Sequence, residues 1–395
     1  MDQNSKDNIT PALQCGGQDY LSETEDMPET TEDRIIRLLY ELEDKSSSLR
    51  DDVAYLLRTL AKRRKEINIL INALKHEDSI IRKNAAYILG NLRDPLTVEP
   101  LIEVLNDEDA DVRGEVVRTL GAIRDDRAIE PLIKTLNDEC REIRGWAASA
   151  LTKIGFSAVD PLIAALDEDN NNIRMNATWA LGHIENSAEK AVAPITGVLD
   201  DDNDEVRFYA AEALGIYMDK RTVLTLLDSL RNDHDESVRW KIIEALGFIK
   251  DKRAVNPLTE ALANEDAGIR RKIVEVLGFL GDKGAIVELL NSLKYDEDPG
   301  VRWRAAESLR HLDEELAIGP LIVALNDEDA GVKRKAVQLL GRIGDQRAIQ
   351  PLTEMKKEDI DTNLFKRIEE ALDSITERES QSNSVSDEIR NSNTS

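Results

Sequence analysis

Residues Asn106–Ile123 return almost unchanged as Asn326–Ile343. Each copy starts with an Asn-Asp-Glu-Asp turn and ends in an apolar run closed by Leu-Gly. Between the copies the same frame recurs every 30 to 33 residues. Its anchor is the residue before the apolar run: Arg50, Arg82, Arg113, Arg144, Arg174, Arg207, Arg239, Arg270, Arg302, Lys333 and Phe365. A leucine stands seven residues after all eleven, from Leu57 to Leu372. Self-similarity at this period means that each unit buries its apolar face on its neighbours. The chain is therefore one continuous array rather than two or three separate domains.

Each unit reads as two helices joined by a short turn. The first carries Pro-Leu-Ile-x-x-Leu, as in Pro131–Leu136. Its proline recurs at Pro100, Pro161, Pro194, Pro257, Pro320 and Pro351. Proline suits a helix start, where amide donors have no intrahelical partner. The second helix follows an acidic turn whose Asp is placed to cap it, at Asp78, Asp109, Asp235, Asp266, Asp298 and Asp329. Glycine stands eight after the anchor in seven units, from Gly90 to Gly341, and predicts close helix packing. An aspartate twelve after the anchor, as at Asp94, Asp125 and Asp345, reads as the close of the unit. The last unit carries Phe365 and Asp373 in place of Arg and Gly, and reads as a cap.

The predicted fold is an all-α, right-handed α-solenoid of about eleven helix pairs over residues 32–376. Residues 1–31 are acidic, and residues 377–395 are rich in Ser and Asn. Neither composition buries enough surface to offset chain entropy, so both are expected to be disordered tails. The formal net charge is −26, with −7 in the first 32 residues and −2 in the last 19, which leaves −17 on the array. That balance argues against nucleic acid, whose phosphates need cations. The two cysteines, Cys15 and Cys140, suggest no disulfide framework and fit a reducing compartment. No basic start leads into an apolar core, and no run of about 18 apolar residues occurs. The expectation is a soluble, cytoplasmic protein without a membrane span.

The pattern Asp-Glu-Asp-x-x-Val-Arg-x-x-Ala-Ala-x-Ala-Leu-Gly-x-Ile resembles the HEAT-like repeats of the phycobilisome lyase subunits. The resemblance covers roughly residues 64–376. It implies a scaffold in which turn acids and anchor arginines form a ladder between neighbouring repeats. The pairs it implies are Asp107 with Arg113, Asp138 with Arg144, Asp233 with Arg239, and Asp296 with Arg302. It also admits a bilin lyase or isomerase-like subunit, with Arg271 and Arg304 for the pigment's propionates. The HEAT-like deoxyhypusine hydroxylases hold two irons through several His-Glu pairs. Only His76-Glu77 matches such a pair among the four histidines, so that reading fails on ligand count. The HEAT-like DNA glycosylases need a basic face, which the charge disfavours.

No catalytic constellation is predicted, nor any metal or cofactor. Cys140 lies among Asp138, Glu139 and Glu142, whose charges make a thiol less nucleophilic. The stretch Gly278–Gly284 follows a helix and lacks the Lys-Ser/Thr of a phosphate loop.

In the second helix, positions three, four and seven after the anchor are apolar and read as core. Positions one, two, five and nine then share an outward face by the 3.6-residue period. All four tryptophans fall there: Trp146, Trp179, Trp240 and Trp303. So do Met175, Phe208, Tyr209, Phe248, Phe279, His183 and His311. An acidic row, Glu212, Glu244, Glu275 and Glu307, runs beside Lys241, Arg271, Lys272, Arg304, Arg334 and Lys335. Repeated exposed tryptophan calls for a partner. The predicted function is a non-enzymatic scaffold whose concave face binds a peptide, loop or helix. Its candidate contact residues are Trp146, Met175, Trp179, Phe208, Tyr209, Glu212, Trp240, Glu244, Glu275, Trp303 and Glu307. Aromatic rings would supply affinity, and the glutamates would select basic groups.

Overall fold

Asp109 shows how a unit begins. Its Oδ1 accepts hydrogen bonds from the amides of Asp111 and Val112 at 2.9 and 3.2 Å, which starts helix Ala110–Ile123. Asp329 does the same for helix Ala330–Ile343. These caps satisfy amides that have no partner inside the helix. At the other end Arg93, Arg124, Met218, Lys250, Gly281 and Gly344 take left-handed backbone conformations that stop their helices. The aspartates twelve after the anchor open the next unit rather than closing their own. Asp125 caps the 3₁₀ turn Asp126–Ala128 by accepting the Arg127 amide, and Asp345 does so for Gln346–Ala348.

The computed structural model describes residues 30–42, 53–57, 59, 64–263, 265–309, 314–358 and 360–392. Within them the chain is an all-helical, right-handed solenoid. Helix Thr31–Glu41, capped by Thr30, and the helical residues 53–57 form the first pair. Ten pairs follow among the described residues, from Arg64–Ala73 with Ser79–Leu92 to Ile349–Met355 with Thr362–Ser392. Each second helix packs on the next, in unbroken succession from Ser79–Leu92 to the last. Residues 1–29, Arg50 and His311 lie outside the described residues.

Helix Thr362–Ser392 runs through residue 376, the boundary drawn from composition. Arg378 gives one physical reason. It donates to the carbonyls of Arg342 and Ile343, acceptors left open at the end of the neighbouring helix. The prolines also divide into two sets. Pro100, Pro131, Pro161, Pro257 and Pro351 sit third in their helices, but Pro194 and Pro320 sit seventh. Those two helices begin about one turn earlier than the others.

From the Arg82 unit to the Lys333 unit, positions three, four and seven after the anchor are buried, as periodicity predicts, and position six joins them. In the Arg207 unit these are Ala210, Ala211, Ala213 and Leu214. Position six is covered because the glycine eight after the previous anchor faces it. A Cβ added to Gly182 or Gly341 would lie 2.7 Å from the Cβ of Ala213 or Ala371. Where position six is polar, its hydroxyl reaches across. Thr119 donates to Ala86 O at 3.0 Å, and Ser308 donates to Val274 O at 2.9 Å. Each fully buried leucine contributes roughly 1.5–3 kcal/mol of transfer free energy.

The arginine ladder exists, but shifted by one unit from the pairs the resemblance implies. Arg113 uses Nη1 on its own turn, where the carbonyl of Asp107 accepts at 2.9 Å. Its Nε and Nη2 grip Asp138 of the next unit at 2.8 and 3.1 Å. Arg82–Asp107, Arg174–Asp201, Arg207–Asp233, Arg270–Asp296 and Arg302–Asp327 repeat this fork, and Arg239 reaches Glu265. The turn aspartate is fully engaged elsewhere: Asp107 accepts from the Asp109 amide at 2.9 Å and from both fork nitrogens of Arg82 in the preceding unit. The hydrogen bond to Asp138 raises the Arg113 guanidinium further above neutrality. Burial alone would raise the Asp327 carboxyl. Hydrogen bonds from Arg302 and the Asp329 amide outweigh it and hold the group below the usual carboxylate range.

Candidate functional site

The outward positions of the second helices carry two different surfaces. From helix Asp204–Tyr217 to helix Ala330–Ile343, a charged lattice has formed. Lys241 sits 2.8 Å from Glu244 on its own helix and 3.4 Å from Glu212 on the preceding one. Lys272 repeats the pattern with Glu275 at 3.4 Å and Glu244 at 3.3 Å. Arg304 lies 3.6 Å from Glu275, and Lys335 lies 2.7 Å from Glu307. The cations also cover rings. Lys272 stands 4.4 Å from the centre of Trp240, Lys335 4.3 Å from Trp303, and Lys241 4.8 Å from Phe208. Burial would raise the Glu244 carboxyl, but Lys241 and Lys272 hold it below its ordinary value.

This lattice changes the role expected of the acidic row. Glu212, Glu244, Glu275 and Glu307 line the face, but their charges are met by lysines and an arginine of the same chain. Glu275 pairs with Lys272 and Arg304, and Arg271 is exposed.

The central units look different. Trp146 lies over Gly114, where a Cβ would collide with its ring, and Arg118 stands 4.6 Å above it. Trp179 stacks on His183 with ring centres 4.2 Å apart. Phe208 and Tyr209 meet edge to face at 5.4 Å. Between these rings lies a hollow of about 150 Å³, lined by Arg141, Arg144, Gly145, Ala148, Met175, Asn176, Trp179 and Tyr209. Burial raises the Tyr209 phenol, and the charge of Glu212 adds to the effect.

None of the expected rings is absorbed into the core. Trp146 and Trp240 keep 36% and 37% of their surface exposed. Trp179, Phe208 and Trp303 are half-buried against the core, and Met175 and Tyr209 are half-buried too. Phe248 and Phe279, nine after their anchors, are exposed. The sequence reading missed Arg141, Arg144, Gly145 and Asn176 as parts of this surface. One signal was available: Asp167-Glu168-Asp169 stands where the Arg113, Arg144 and Lys333 units carry Asn-Asp-Glu, so the acids are out of register. Among the described residues, no three His, Cys, Asp or Glu side chains are placed to ligate a metal ion. No single described helix is long and apolar enough to cross a membrane.

A family model described as HEAT repeats matches overlapping windows that together run from residue 35 to residue 373. The chain is a HEAT-repeat protein. No curated protein matches it in sequence. Among solved structures, importin beta is 14% identical over 87% of this chain and 55% of its own, with a TM-score of 0.56. Kap95p, from a structure describing its binding to RanGDP, is 12% identical with the same coverage and a TM-score of 0.59. The HEAT-repeat chain thus spans about half the length of these importin-type proteins and shares their fold. The CpcE–CpcF phycocyanin lyase complex of Nostoc is 22% identical over 55% of this chain and 94% of that one, at a TM-score of 0.36.

Proposed function

We propose that this HEAT-repeat array is a non-enzymatic scaffold that holds a partner's peptide, loop or helix on its concave face. The contacts are Trp146, Met175, Trp179, Phe208 and Tyr209 in the centre, with Trp240 and Trp303 beyond. One observation carries the reading: large rings stand on successive second helices, at outward positions, outside the core. Rings of this kind offer wide contact area at little rotamer entropy. The lattice of Glu212, Glu244, Glu275 and Glu307 with its lysines acts as support that fixes the rings in place. Affinity capture with the wild type and with a Trp179→Ala/Trp240→Ala variant tests this. Proteins held by the wild type should be lost from the variant while its circular dichroism stays unchanged. An identical captured set from both would overturn it.

A further inference from the structure

Among the described arginine anchors, Arg144 stands apart because its fork meets no carboxylate. Its Nη1 donates to the carbonyls of Asp138 and Glu139 at 2.8 and 3.2 Å, as Nη1 of Arg82, Arg113, Arg174 and Arg302 does in their own turns. Its Nε is buried and makes no hydrogen bond. Arg304 Nε is also unbonded, but Glu275 neutralises that guanidinium. The cause lies in the next turn. Six residues before Arg174 stands Glu168, where the Arg113, Arg144, Arg207, Arg239, Arg302 and Lys333 units place an aspartate, and Glu168 is exposed.

The same arginine lines the central hollow, and so does Arg141, which is exposed and whose charge acts on the Tyr209 phenol. Gly145 keeps the hollow open. A Cβ added there would meet nothing within 4 Å, whereas the equivalent Gly114 lies under Trp146. The acids facing this region are Glu142, which accepts from the Cys140 thiol at 3.0 Å, and Glu205 and Glu212 beside Tyr209. A pair of arginines in an aromatic hollow is unusual on a chain of net charge −26.

Resting on the partner-binding reading above, we propose that this hollow takes the carboxylate of an Asp or Glu side chain from a partner peptide. The guanidinium of Arg144, which has no carboxylate of its own, and that of Arg141 hold it by charge, and a neighbouring apolar residue packs on Trp179 and Met175. The other rungs of this protein show the preference directly. The same guanidinium edge binds carboxylate oxygens at 2.7–2.8 Å in Arg82, Arg174 and Arg302. Two parallel charge-assisted bonds suit a planar carboxylate. The central face thus selects an acidic anchor, not a basic one.

Selection of a random peptide library displayed on phage against the full chain tests this. Peptides that depend on Trp179 should carry Asp or Glu beside an aromatic or aliphatic residue. Arg144→Gln should weaken the strongest such peptide by about tenfold or more, and Arg271→Gln should not. A second variant leaves the arginine in place. Asp167→Asn/Glu168→Asp/Asp169→Glu restores the register of the other turns, supplies Arg144 with an internal aspartate and should abolish the acidic preference. Trp179-dependent peptides that are basic or neutral would overturn the carboxylate site and leave the scaffold reading standing. Peptides indifferent to Trp179→Ala would overturn both. A phosphoserine peptide binding tenfold tighter than its Glu counterpart would overturn the choice of carboxylate.

Discussion

The central units and the C-terminal half share one backbone frame and one core, but they treat their surface charges in opposite ways. From Glu212 to Lys335 the second-helix face is neutralised from within, each lysine of the lattice lying against one or two glutamates. From Arg141 to Tyr209 the face carries rings and two arginines, and the Arg144 fork has no carboxylate. A repeat fold separates these two properties. The buried positions decide that the array forms, and the outward positions vary from unit to unit without cost to it.

The largest effect should be the same in both regions. Leu181 and Leu246 are fully buried, one in each. Leu181→Ala and Leu246→Ala should each cost about 2–5 kcal/mol in denaturant unfolding. A surface-sized loss at either position would mean that the two regions do not share one core.

Next comes the ladder, where the regions should part. Asp138→Ala leaves Arg113 buried without its fork partner and should cost roughly 3 kcal/mol. Arg144→Gln removes no fork and should cost under about 1 kcal/mol. Equal losses would show that Arg144 is paired in solution.

Acid should then separate the two surfaces further. Glu244 and Asp327 are held below their ordinary values in the fold. A depressed carboxyl contributes stability that is present above its unfolded pKa, about 4, and lost as pH falls through the folded value. Hydrogen exchange should therefore show helix Glu236–Ile249 losing protection as the pH falls below about 4. Helix Arg141–Ile154, with no such lattice, should lose less. Uniform loss along the array would contradict this.

Much of the fold was legible because the period is written into single residues. The leucine seven after each anchor and the glycine eight after it mark burial and close approach directly. The ladder was legible in kind but not in pairing. Arg113 has an aspartate six residues back and another 25 residues on, and sequence spacing does not say which one its fork faces. The lattice was hidden for a similar reason. Lys241 reaches Glu212 only because neighbouring helices align in register, which is a property of packing. The rings were found by periodicity alone, but the hollow between them depends on Gly145 having nothing over it, which no local pattern records.

On the proposed function, recognition belongs to the central rings and support to the lattice. Titrating the strongest Trp179-dependent peptide against Trp179→Ala and Trp303→Ala tests it most directly. A loss of about tenfold or more is expected for Trp179→Ala and of less than about threefold for Trp303→Ala, whose ring is covered by Lys335 and Arg304. A larger loss for Trp303→Ala than for Trp179→Ala would contradict it.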